Sequence, residues 1–92
     1  MIVRIAGEDQ FRLPDEDAKR LNELDNEAVA AVEGDDESRF KELFGQMLEL
    51  VKQDGELLGD DELVESDVIL PPRDISFEEA QGEFTGEGLI PE

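Results

Sequence analysis

The stretch from Ser38 to Gln53 reads SRFKELFGQMLELVKQ. Within it Phe40, Leu43, Phe44, Met47, Leu48 and Val51 recur at the i, i+3, i+4, i+7, i+8, i+11 spacing of one helix face. Arg39, Lys41, Glu42, Gln46, Glu49 and Lys52 fall between them and face water. Two of the chain's five phenylalanines stand one helical turn apart here, so this helix supplies the centre of the core.

Upstream, Asp15 to Val32 reads as a first helix. Asp15, Glu16 and Asp17 crowd its N-terminus, where the helix dipole favours negative charge. Leu21, Leu24, Ala28, Ala31 and Val32 form a narrow apolar stripe whose alanines allow a second helix to come close. Glu33-Gly34 closes this helix, with Gly34 as the residue just past its end. Asp35 or Asp36 then caps the second helix, and Asp54-Gly55 ends it in the same way. So short a connection implies an antiparallel pair. Before the pair, Met1 to Leu13 has the pattern of a β-hairpin. MIVRI is the first strand, Gly7-Glu8-Asp9 the turn and QFRL the return, with Arg4 and Arg12 on or near the solvent face. Pro14 ends the second strand and suits a helix start, where its missing N–H costs nothing.

Downstream the signals thin out. Leu57-Leu58 is an apolar pair placed to plug the base of the core. Gly59-Asp60-Asp61-Glu62 repeats Gly34-Asp35-Asp36-Glu37, which is turn-and-cap chemistry rather than a structural repeat. Leu63-Val64 and Val68-Ile69-Leu70 are expected as short strands or extended segments laid over the hairpin. Pro71-Pro72 stiffens the exit. Ser76 with Glu79 makes a capping box that opens a short helix, Phe77 to about Phe84. The expected fold is therefore α+β: an N-terminal hairpin packed on an antiparallel helix pair, then an extended segment and a short C-terminal helix. All 92 residues are expected to form one small domain.

Charge dominates the composition. Lys and Arg number 8 against 27 Asp and Glu, a formal net charge of −19. No basic cluster exists to displace counterions from a phosphate backbone, so nucleic acid is not an expected partner. An anionic membrane surface is disfavoured for the same reason. Such a charge drives a compact chain apart by self-repulsion in ordinary cytoplasm. In molar salt the Debye length falls to about 3 Å and the repulsion is screened, so a halophilic source is expected. The chain has no cysteine, which fits a reducing compartment. No apolar run approaches the roughly 20 residues that cross a bilayer. MIVRIAGEDQ lacks the cationic and apolar regions of a signal peptide, so the expected location is the cytoplasm.

With no His and no Cys, zinc sites and Ser–His or Cys–His nucleophiles are excluded. Carboxylate pairs remain, yet 27 acids make close pairs inevitable, and neither an enzyme nor a cofactor is expected. A calcium loop starting at Asp15 fails on its sixth and twelfth residues, Arg20 and Asn26, where Gly and Glu are needed. Gly86-Glu87-Gly88 lacks the Lys and the following helix of a phosphate-binding loop. The interaction candidates are the apolar residues outside the helix pair: Val68, Ile69, Leu70, Phe84, Leu89 and Ile90. The competing reading of the same residues is a tail folded back to complete a small core.

Taken in order, the chain resembles the PspAA family, the PspA-associated proteins of the phage-shock envelope-stress system. The most specific pieces are MIVRI at the start, Ser66-Asp67-Val68-Ile69-Leu70-Pro71-Pro72, and Gly86-Glu87-Gly88-Leu89-Ile90-Pro91. None is catalytic. The resemblance implies a small cytoplasmic partner of PspA, a coiled-coil membrane-remodelling protein related to ESCRT-III, and assigns no ligand to any residue. The expected function is thus a non-enzymatic adaptor or regulator, with Val68 to Ile90 as the expected docking region. The alternative is an acidic, cation-responsive domain without a fixed protein partner.

Overall fold

In a computed structural model of the chain, residues 1–59, 64–85 and 88–89 are described. The elements run β1 (Ile2–Ile5), β2 (Gln10–Arg12), α1 (Asp15–Glu33), α2 (Glu37–Asp54), β3 (Glu56–Leu57), β4 (Val68–Leu70) and α3 (Phe77–Glu83). The hairpin, the helix pair, the extended segment and the short C-terminal helix all form as expected.

The strands join into one four-stranded sheet of order β3-β2-β1-β4. β1 and β2 pair antiparallel, with Val3 opposite Phe11, while β4 runs parallel to β1, with Arg4 opposite Ile69. The Val68–Leu70 segment therefore extends the hairpin edge to edge rather than lying over it. β3 is a short antiparallel partner of β2. Side-chain links fasten the approach to β4: Gln10 Nε2 donates to Ser66 Oγ at 2.7 Å and to the Val64 carbonyl at 3.3 Å, and the Ile2 N–H donates to Asp67 Oδ2 at 2.7 Å. Successive strand residues point to opposite faces. Val3, Ile5, Phe11, Val68 and Leu70 turn inward and are buried, while Arg4, Arg12 and Ile69 turn outward. Leu58 is buried, whereas Leu57 is 60% exposed at the sheet edge, so only half of that pair fills the core. Val64 lies outside any strand, and Leu63 lies outside the described residues.

The inter-helix link differs in detail from the expectation. Gly34 has φ −84°, and the left-handed residue is Asp35, at φ 57°. The Asp35 N–H donates to the Val32 carbonyl and the Asp36 N–H to the Ala31 carbonyl. That is a Schellman closure with an aspartate in the position usually held by glycine. Asp36 is the second cap, its Oδ1 accepting from the Arg39 N–H at 3.1 Å. Gly55 is not left-handed either, with φ −80° and ψ 147°. It is glycine because a Cβ there would collide with the Val51 carbonyl oxygen and stand 2.9 Å from Phe11 Cβ.

All six apolar residues of the Ser38–Gln53 stripe are buried in α2. Their phenylalanines anchor an aromatic cluster. Phe40 and Phe44 stack at 5.7 Å, and Phe84 meets both edge-on at 5.0 and 6.0 Å. Each such ring, fully buried, contributes roughly 1.5–3 kcal/mol from area alone, so the C-terminal segment is integral to the core. Ser76 and Glu79 form the expected capping box that starts α3, and Phe84, at the other end of that helix, is fully buried.

Candidate functional site

Of the six residues expected to dock a partner, the five that are described do not share one surface. Val68 (2% exposed), Leu70 (0%) and Phe84 (0%) are core residues, and Leu89 packs half-buried against the same core. Ile90 lies outside the described residues. Among the described five, Ile69 alone faces out, at 58% exposure. The alternation of the β4 strand decides this: two of its three side chains must fill the space above α1 and α2, and the middle one cannot.

What Ile69 joins on the surface is the corner that follows it. Pro71-Pro72 stops the strand, and the Ile75 N–H donates to the Pro72 carbonyl at 3.0 Å, closing a turn. Ile69, Pro71, Pro72 and Ile75 line an open hollow of about 250 Å³, edged by Glu79 and Glu83 of α3. An ionic clamp holds the corner in place. Glu8, in the hairpin turn, accepts from Arg73 Nε at 2.8 Å and Nη2 at 3.0 Å, and from Lys52 Nζ of α2 at 2.9 Å. The paired cations, Arg73 first, lower the Glu8 carboxyl from an ordinary 4.5 to about 2, and Glu8 raises Arg73 in turn.

Beyond Arg73 lies a second hollow of about 370 Å³, running along α2 past Gly45, Leu48, Glu49, Lys52 and Gln53. The sequence placed Lys52 on the water-facing side of the helix and gave no site role to Gly45, Lys52 or Arg73, because their relation depends on where β4 pairs. The signal open to it was Gly45 itself, a glycine in the middle of an otherwise strong helical pattern.

The tail motif has a structural role of its own. Asp25 is completely buried among apolar stripe residues of α1, and both its oxygens accept from the Leu89 N–H, at 3.1 and 2.9 Å. Gly88 has φ 85°, and a Cβ on it would come within 2.5 Å of the Asp25 carboxylate. Glycine is needed there twice over, for the backbone angle and for the close approach. Elsewhere Asp17 at the start of α1 faces Asp54 at the end of α2. A hydrogen bond between the two carboxyls, aided by partial desolvation, raises the Asp17 carboxyl.

Among the described residues no three carboxylates converge as a metal site, and no helix is long and apolar enough to cross a membrane. The arrangement supplies an apolar corner, an ionic clamp and a helix-side hollow. A family model described as PspAA, the PspA-Associated protein, matches residues 1–92. No curated protein and no solved structure matches the chain. The match covers the whole length of the chain, and this protein belongs to the PspAA family.

Proposed function

We propose that the chain is a non-enzymatic adaptor or regulator that binds a PspA-type, membrane-remodelling coiled-coil protein during envelope stress. The observation that carries this reading is the family match over residues 1–92, under a description that names association with PspA. Its 92 residues act as one domain in the cytoplasm. A net charge of −19 repels anionic lipid, so the chain reaches the membrane surface only by way of its partner.

Ile69 is the proposed anchor, with Pro72 and Ile75 beside it. A half-exposed isoleucine beside prolines loses little entropy when a partner covers it, which suits a contact of this kind. The buried Val68, Leu70 and Phe84 act behind it by holding the corner in shape. The test is gel filtration in molar KCl with the purified PspA-type protein of the same host. The wild-type chain is expected to co-elute, and a folded Ile69→Asp variant to elute alone. Failure of the wild type to co-elute overturns the association. Co-elution of Ile69→Asp at wild-type yield removes Ile69 as the anchor.

A further inference from the structure

Gly45 has no evident reason to be glycine within this chain. It is exposed in the interior of α2, its backbone is helical, and a Cβ placed on it meets nothing within 4 Å among the described residues. A glycine at an exposed helix interior costs about 0.5–1 kcal/mol relative to alanine, with no contact among the described residues to offset it. Gly45, Leu48, Glu49 and Lys52 follow helix-face spacing, and the hollow of about 370 Å³ opens over them. Its floor is apolar, since Leu48 is 6% exposed and packed on the core. A notch of this form lets another helix bring its side chains close to the α2 backbone, with its ridge in the α2 groove.

The charges at the notch indicate what kind of helix fits. Only 8 of the chain's residues are Lys or Arg, and two of them, Lys52 and Arg73, meet at this hollow. Glu8 and Glu49 balance them, so the site is locally neutral on a chain of net charge −19. Arg73 commits Nε and Nη2 to Glu8, while Nη1 donates to no acceptor among the described residues. A carboxylate brought by the partner can take that donor. Arg73 directly follows Pro72, so this hollow adjoins the corner carrying Ile69.

We infer that the α2 notch at Gly45 receives an amphipathic helix of the protein partner, with an apolar side chain over Gly45 and Leu48 and a carboxylate at Arg73. The inference rests on the PspA association proposed above and names the surface that carries it. Anisotropy titration of the labelled chain with the purified PspA-type protein, in molar KCl, tests it with three forms. Gly45→Gln fills the notch with a good helix former, so the free chain melts at a higher temperature than wild type while its affinity falls at least tenfold. Ala30→Gln, on the exposed side of α1, keeps wild-type affinity. Gly45→Gln affinity within twofold of wild type overturns the notch and leaves the association standing. Absence of binding by the wild type overturns both. Equal losses in Gly45→Gln and Ala30→Gln also overturn the notch, because the effect is then not local to it.

Discussion

At the scale of single residues, two glycines and one aspartate show how position sets meaning. Gly55 and Gly45 are both helix-associated, yet a Cβ at Gly55 meets Val51 and Phe11 while one at Gly45 meets nothing. Gly55→Ala is therefore expected to lower stability by roughly 1–3 kcal/mol as α2 and β2 move apart. Gly45→Ala is expected to raise it by about 0.5–1 kcal/mol. Chemical denaturation of the pair checks both signs. Asp25 is a buried carboxyl whose two oxygens both accept from the Leu89 N–H. Asp25→Ala leaves that donor without its partner, so a loss of about 1–3 kcal/mol and faster proteolysis at the C-terminus are expected. Wild-type stability in Asp25→Ala would remove the tail contact from the fold's essentials. Nothing in the local pattern distinguished this aspartate from 26 other acids. Its role depends on a residue 64 positions away.

At the scale of elements, what was legible was what is local. The α2 stripe, the capping box at Ser76 and the hairpin depend on neighbours within a turn or two, and all three formed where the spacing placed them. The link between α1 and α2 was legible in outline but not in its closing residue. Gly34 was the natural choice for a left-handed angle, and the chain puts Asp35 there instead. Asp35→Gly relieves that angle and should raise stability by about 0.5–1 kcal/mol. Asp36→Ala removes the cap and should cost about 1 kcal/mol. Thermal melts that reverse these two signs would contradict the assignment. The parallel pairing of β4 was not legible, because it joins residues 65 apart and no periodicity reports a strand's partner. That single pairing separates Ile69 from Val68 and Leu70, so it also decided which candidate site residues reach the surface.

The whole molecule is governed by its charge, and pH and salt act on it in separable ways. Glu8 is held well below its ordinary value by Arg73 and Lys52. The unfolded chain thus binds a proton there before the folded chain does. The clamp's contribution is present above pH 4.5 and is lost as the pH falls toward about 2. Asp17, raised by Asp54, has the opposite sign: its repulsion is relieved on acidification. Glu8→Gln should flatten the acid limb of a stability–pH curve, and Asp54→Asn should stabilise the chain at neutral pH. Circular dichroism against KCl is expected to show the fold gaining stability from 0.1 M to molar salt as the −19 charge is screened. Equal stability at both salt levels would argue against a halophilic setting.

The candidate site joins these scales. Ile69 is exposed by strand alternation, the corner is held by Glu8, and Gly45 leaves the adjoining helix face open. Calorimetric titration of the chain with the purified PspA-type protein of its host, in molar KCl, tests the central claim most directly. Saturable binding that Ile69→Asp weakens, in a variant with the wild-type dichroism spectrum, is the predicted result. No heat of binding at several temperatures, with both proteins folded, would contradict it.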